Sequence, residues 1–337
     1  MSKSGVAQAI NTEFEKGLKD ITESSSSLTS RIGGYILEAG GKRMRPKLVM
    51  LISEAVGLTW EQALPLAYSV ELLHTASLLH DDVVDGTEIR RSRPTANQVF
   101  GDKPALLAGD YLSASSLDVL FSLKSVELAA QTARTIKKMA EGELLEIEYA
   151  GGFHDKLDVY QKIIYLKTAA LFELCATAPG IIAGVSSESL DALAEFGRSI
   201  GMAFQIVDDI INLAPTVHDD KDAYNDIAER KSTLPLIYLF QDKPDILVSL
   251  AKLSEPEAWC KAIIPKLTNA ILIRSKALAE TFLSQAMQAL DVKGLSTAGL
   301  RKIPELVLAP VNGRFRGRSQ VQGGARGAGS CLGTFPD

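Results

Sequence analysis

Three aspartates in the stretch LLHDDVVD, Asp81, Asp82 and Asp85, have the type and spacing to do chemistry. On an α-helix residues four apart share a face, so Asp81 and Asp85 aim two carboxylates at one point, with His74 two turns upstream on that face. Two carboxylates alone repel an anionic ligand, since a like-charge pair ~4 Å apart costs about 4 kcal/mol at an effective dielectric of ~20. A divalent cation must therefore stand between them and any phosphate, and hard oxygen donors that leave positions open for phosphate oxygens favour Mg²⁺. Arg90, Arg91 and Arg93 follow on a loop with Pro94. An acidic cluster trailed by arginines is what a metal-bridged diphosphate requires. A solvated helix end is the plainer reading of DDVVD. Acids at a helix C-terminus oppose the macrodipole, however, and VELLHTASLLH is too apolar for a surface helix.

The theme returns in GMAFQIVDDIIN, where Asp208, Asp209 and Asn212 end a second apolar segment and Lys221 and Lys231 trail behind. Two aspartate-ended helices with trailing cations predict a cavity with carboxylates on opposing walls and positive charge at its rim. GGKRMRP concentrates Lys42, Arg43 and Arg45 where two helix ends meet, a place that could grip a phosphate or be merely solvated. Lys167 and Thr168 enter an apolar helix, where a lysine either snorkels or meets a ligand.

The whole chain sets bounds on partners and compartment. Its 337 residues carry a net charge of −5 with dispersed basic residues, which argues against nucleic acid, so an anionic ligand must be held by a local cluster. Three cysteines without CxxC spacing predict a reducing compartment. The N-terminal stretch lacks an apolar h-region and no run of about 18 uncharged apolar residues follows, so a soluble, cytoplasmic protein without a transmembrane segment is expected. Hydrophobic content of 46% with only 6% aromatic residues suits helices packed on helices.

The elements that position these residues read as helical throughout. Helices are expected at 5–22 and 28–39, the latter ending at Gly40-Gly41, with Pro46 near the start of the next. Thr59 and Gln62 form a T-x-x-Q capping box opening the helix that carries His74 and the aspartates, and that helix stops by Gly86. Further helices are expected at about 103–123, 125–149, 157–177 and 191–213, with Pro179-Gly180 as punctuation, then from TLPLIYLF through about 290. One helical domain over 1–311 follows, and the Gly/Arg-rich segment 312–337 reads as a disordered tail.

From about Gly33 to Phe240 the chain resembles the trans-isoprenyl diphosphate synthases. GGKRMRP, LLHDDVVD with RRSRPTAN, Gly109-Asp110, Lys167-Thr168, FQIVDD and KSTLPL occur in that family's order and near its spacing. The resemblance implies an all-α bundle around a deep central cavity, usually a homodimer, that condenses isopentenyl diphosphate with an allylic diphosphate. It makes Asp81 and Asp85, with Asp82 in support, ligands of Mg²⁺, and Asp208, beside Asp209, the opposing ligand. Arg90, Lys167, Thr168, Gln205, Lys221 and Lys231 would hold the allylic diphosphate. Gly41, Lys42, Arg45, His74 and Arg91 would hold isopentenyl diphosphate.

The chain departs from the family pattern at the second motif. Asn212 replaces the last aspartate of DDxxD, the following loop is one residue short, and Asp220, Asp222, Tyr224 and Arg230 stand where Gly or Pro is usual. These changes slightly favour a catalytically silent partner subunit that keeps the fold and regulates an active homologue, while the intact first motif and both lysine positions count against it. A class I terpene cyclase fails at Glu229 and Thr233, which occupy metal-ligand positions of its second motif. Ala76 and Ser77 lie just before Asp81 and should border the cavity beneath the reacting carbons. In the family, bulky aromatics at these positions give short products, so small residues imply a long all-trans chain, hexaprenyl or longer, with geranylgeranyl diphosphate as the alternative. Leu73, Phe121, Met139 and Leu144 are candidates for a deeper floor.

Overall fold

The computed structural model describes residues 3–91, 93–213, 224–291 and 296–318, with the side chains of 3–12, 225 and 313–318 excepted. Sixteen α-helices lie among them: α1 (Lys3–Thr22), α2 (Ser27–Glu38), α3 (Met44–Ala55), α4 (Trp60–Val84), α5 (Ala96–Phe100), α6 (Asp102–Phe121), α7 (Val126–Tyr149), α8 (Leu157–Ile164), α9 (Ala170–Ala183), α10 (Ser187–Leu213), α11 (Asn225–Ala228), α12 (Leu234–Asp242), α13 (Asp245–Leu250), α14 (Pro256–Ile263), α15 (Asn269–Ala289) and α16 (Ile303–Arg318). The fold is all-α. Two compact units account for it, one of residues 1–135, 171–194 and 292–300 and one of 136–170, 195–291 and 301–337.

In the first unit α4 is the axis. Thr59 and Gln62 close the expected capping box, Thr59 Oγ1 accepting from the Gln62 amide and Gln62 Oε1 from the Thr59 amide. Leu66, Val70, Leu72, Leu73, Ala76 and Leu79 are buried around α4, so it is a core helix rather than an amphipathic one. Burying each leucine is worth about 1.5–3 kcal/mol. α4 packs on α3 and α6. The α6 contact is close: the Ser69 and Ser116 hydroxyls bond at 2.7 Å, and a Cβ at Gly109 would lie 2.4 Å from His80 Nε2. α4 ends where expected, with Asp85 as C-cap and Gly86 at φ +62°.

In the second unit α12 takes the central place, its Leu234, Leu236, Ile237, Leu239 and Phe240 all buried against α8, α13 and α15. α7 passes directly over the segment Tyr165–Ala169, which is a π-helical turn between α8 and α9. Only glycine fits at position 142, since a Cβ there would lie 2.6 Å from the Lys167 backbone nitrogen.

Some expectations are corrected. Pro179-Gly180 does not interrupt α9, which runs to Ala183 and stops at Gly184, φ +65°. Gly180 is there for packing: a Cβ would meet Leu193 Cδ1 at 2.9 Å. The expected single helix at 157–177 is interrupted by the π turn. Arg90 and Arg93 lie on a two-residue antiparallel ladder, Ile89–Arg90 with Arg93–Pro94, where a plain loop was expected. α16 continues to Arg318, into the segment read as a tail, because Ile303, Val307 and Val311 are buried and anchor it. Residues 319–337 lie outside the described residues. Phe121 and Leu144, candidates for a deeper floor, are 60% and 68% exposed. One helical run, Leu157–Ala183, is long and apolar enough to cross a membrane by length and composition, and 72% of its apolar window is buried inside the fold.

Candidate active site

The first unit gathers the first motif and the arginines. Asp81 and Asp85 are half-buried, and the Asp85 amide donates to the Asp81 carbonyl at 2.8 Å. Asp82 is 2% exposed and tied down on every side. Arg90 Nε donates to its Oδ1 at 2.7 Å, while Asn97 Nδ2 and the Thr87 amide donate to its carbonyl oxygen. Burial raises the Asp82 carboxyl above its usual pKa, opposed by Arg90. The arginine hairpin is pinned as well, with Tyr35 Oη donating to the Pro94 carbonyl at 2.6 Å and Arg93 lying 4.8 Å over the Tyr35 ring.

The basic loop divides its work. Arg43 adopts φ +47° and is buried, its guanidinium held by Glu15 at 2.7 Å and by Glu71 at 2.5 Å. It is therefore a structural ion pair rather than a phosphate grip. Arg45 is buried with its guanidinium 4.7 Å over the Phe172 ring, and Lys42 is exposed. Arg91 donates to the Gly40 carbonyl and lies against Gly41, where a Cβ would sit 3.1 Å from its Nη1. His74 is held well below its usual pKa by burial and by Arg45, Arg91, Arg90 and Arg43, so it is neutral. Gly41, Arg45, His74 and Arg91, one set in the sequence, are thus brought together.

The second unit gathers the second motif. Asp208 is exposed; Asp209 is 3% exposed, with both carboxylate oxygens engaged. Tyr160 Oη donates to Asp209 Oδ2 at 2.5 Å and Gln205 Nε2 to Oδ1 at 2.9 Å. Thr168 Oγ1 donates in turn to Gln205 Oε1 at 2.9 Å, so a continuous chain runs from the π turn to α10. Burial drives the Asp209 carboxyl well above its usual pKa. These bonds make Asp209 an anchor for the exposed Asp208 and leave it poorly suited to ligate a metal directly. Asn212 Nδ2 donates to Asp226 Oδ2 at 3.5 Å, and burial pushes the Asp226 carboxyl up to about 7. Lys221 lies outside the described residues.

Lys167 neither snorkels to solvent nor stands apart from other charges. Its ammonium lies 2.6 Å from Glu143 and 2.6 Å from Glu146, and Lys231 lies 2.8 Å from Glu229 and 3.8 Å from Glu146. Glu71, Glu143, Glu146, Tyr160 and Asp226 were missed as site residues. EGELLEIE carried a signal, an acid pair three apart on one helix face, but Tyr160 carried none.

Ala76 is 1% exposed, and Ser77 is half-buried with its hydroxyl donating to the His74 carbonyl at 2.9 Å. Among the described residues no three His, Cys, Asp or Glu side chains converge as a preformed metal cage. The donor set still fits Mg²⁺, which takes one or two carboxylates and completes its octahedron with water and substrate phosphates.

Known proteins point the same way. The polyprenyl synthetase family model matches residues 26–271. Octaprenyl diphosphate synthase of Escherichia coli (strain K12) is 37% identical over 216 residues, 64% of this chain and 67% of that protein. The crystal structure of a decaprenyl diphosphate synthase from Rhodobacter capsulatus is similar with a TM-score of 0.81 at 29% identity, over 92% of this chain and 98% of that one. A polyprenyl synthase from Caulobacter crescentus CB15, complexed with calcium and isoprenyl diphosphate, gives 0.79 at 27% identity over 90% and 94%. A conserved fold, a match over most of the chain and the two aspartate motifs agree: the chain belongs to the polyprenyl synthetase family, the trans-isoprenyl diphosphate synthases, and is a prenyltransferase.

Proposed function

We propose that the protein is a Mg²⁺-dependent long-chain synthase that joins isopentenyl diphosphate repeatedly to an allylic diphosphate, giving an all-trans product of hexaprenyl length or longer. The observation that carries this is shared by both motifs: the second aspartate of each pair is buried in hydrogen bonds, Asp82 with Arg90 and Asp209 with Tyr160, while the first is the more exposed. That is a donor set built to meet a cation and a phosphate.

Asp81 and Asp85 would offer carboxylate oxygens to Mg²⁺ at the first motif, and Asp208 its own at the second. Bound Mg²⁺ supplies Lewis-acid stabilisation of the diphosphate leaving group. Arg90, Lys167, Thr168, Gln205, Lys221 and Lys231 hold the allylic diphosphate, and their positive and donor groups meet the charge that grows on its oxygens as the allylic C–O bond breaks. Gly41, Lys42, Arg45, His74 and Arg91 hold isopentenyl diphosphate, whose double bond attacks the allylic carbon. Proton loss then leaves a product one isoprene unit longer and again allylic. The small side chains of Ala76 and Ser77 support a long product, and so do the octaprenyl and decaprenyl synthases among the relatives.

A homodimer is part of this reading, supported by the apolar side chains of Leu107 and Val126, 63% and 85% exposed. A reducing, cytoplasmic location is supported by the buried free thiols of Cys175 and Cys260. The second reading, a silent partner subunit, is favoured by Asn212 and by the φ values of +75° at Tyr224 and +57° at Arg230.

Chromatographic sizing of the products from farnesyl and labelled isopentenyl diphosphate, with the purified chain and Mg²⁺, separates the readings. Products of hexaprenyl length or longer support the proposal. Chains ending at geranylgeranyl refute the long-product part, turnover retained in EDTA refutes the metal, and no turnover by the single chain supports the silent subunit. Ser77→Phe should shorten the products, and an unchanged distribution would show that Ser77 does not border the tunnel.

A further inference from the structure

In the second unit α7 approaches the π turn so closely at Gly142 that its next two inward acids, Glu143 and Glu146, fall on Lys167. The two do different things. Glu143 meets Lys167, whereas Glu146 also lies 3.8 Å from Lys231 and so spans both lysines. Glu229 stands on the far side of Lys231 at 2.8 Å. Lys167, Lys231, Glu143 and Glu146 are each between 17% and 22% exposed in their side chains, so solvent screens these charges less than it would at the surface.

This arrangement has a consequence for an anion arriving at the two lysines. A carboxylate bridging two ammonium groups occupies the place and charge that a phosphate oxygen needs, and the two anions repel if both remain. We propose that Glu146 is an internal counter-anion: it holds Lys167 and Lys231 in place when no diphosphate is present and is exchanged for the allylic diphosphate on binding, weakening its grip. The inference rests on the proposed role of these lysines. Glu143, 2.6 Å from the Lys167 ammonium, keeps a carboxylate on the lysine throughout, so Lys167 stays placed while Glu146 yields. The exchange runs backwards when diphosphate leaves, so Glu146 also favours release after each condensation. Glu146 is a positioning residue acting through the lysines.

Glu146→Gln tests this, because it keeps the side chain's length and removes its charge. Calorimetric titration with farnesyl diphosphate and with inorganic diphosphate in Mg²⁺ should show binding tightened about tenfold, the result of removing one competing anion. The KM for isopentenyl diphosphate should stay within about twofold, since none of the groups proposed for it, Gly41, Lys42, Arg45, His74 and Arg91, belongs to the cluster of Glu143, Glu146, Lys167 and Lys231. A merely structural residue would loosen binding on substitution. Unchanged or weaker binding by a variant with native helical signal overturns the proposal. Should Glu146→Gln misfold, Glu146→Ala is measured in the same way, and misfolding of both also overturns it, since a residue required for folding is not an exchangeable one. Failure of the wild-type protein to bind farnesyl diphosphate at all would instead overturn the functional reading.

Discussion

The phenol of Tyr160 donates to Oδ2 of Asp209 at 2.5 Å, in a place closed to solvent on both sides. Next to Asp209 in sequence stands Asp208, the exposed carboxylate of the second motif, so this bond fixes the backbone from which Asp208 is presented. Tyr160→Phe removes the donor and leaves a buried acceptor short of one partner, at a cost of about 1–3 kcal/mol. Urea unfolding should show that loss, and kcat should fall more than the KM for isopentenyl diphosphate. A midpoint within error of wild type would mean that the bond stabilises nothing.

Asp208→Ala should nearly abolish turnover, since it deletes the proposed metal ligand of the second motif. Asn212→Asp should change turnover only modestly, because the Asn212 amide is directed to Asp226. It should instead lower the stability of the metal-free protein at pH 8 by about 1–2 kcal/mol, by losing a donor and adding a like charge. Equal and small effects of both substitutions on turnover would show that this motif binds no metal.

Asp226 gives a pH dependence with a definite sign. In the unfolded chain an aspartate loses its proton near pH 4, while in the fold burial holds the Asp226 proton until about 7. The folded state binds more protons across that window, so the contribution of Asp226 is fully present below about pH 4 and is lost as pH rises to about 7. Without metal, Asp226→Asn should therefore be more stable than wild type at pH 8 relative to their difference at pH 4.5. A difference between the two proteins that does not change with pH would rule this out.

Arg43→Met should cost about 3–5 kcal/mol, because it strands the Glu71 carboxylate, only 5% exposed, without its counter-ion. Adding Glu71→Gln to it should recover much of the loss, as a double-mutant cycle on thermal midpoints would report.

Arg230 holds a left-handed backbone at φ +57°, and its guanidinium lies 4.0 Å over the Trp259 ring. Arg230→Ala loses the stacking and keeps the strain, whereas Arg230→Gly loses the stacking and relieves the strain. The glycine variant should be the more stable of the two by about 1 kcal/mol. Equal thermal midpoints would show that the turn is not strained.

What the sequence made legible was what neighbours in the chain decide. The Thr59 box, the Gly86 stop and the helical class depend on residues within a turn or two of each other. The motifs were legible because a recurring chemistry fixes their spacing. Lys167 was open to two readings because its partners, Glu143 and Glu146, lie more than twenty positions away on another helix. Arg43 looked like its neighbours Lys42 and Arg45 because only the fold brings Glu15 and Glu71 to it. Pro179-Gly180 misled for the opposite reason: tertiary packing against Leu193 overrode a local stop signal.

The π turn at Tyr165–Ala169 rephases the helix it interrupts. In an unbroken α-helix Tyr160 and Thr168 would point about 80° apart around the axis at roughly 3.6 residues per turn. A wider turn absorbs about one residue's rotation, ~100°, and brings them to within about 20°. That is how both can reach α10, Tyr160 at Asp209 and Thr168 at Gln205. Were the same residues wound as ordinary α-helix, only one of the two could face α10, so for this stretch the pitch of the backbone is as strictly constrained as the identity of its residues.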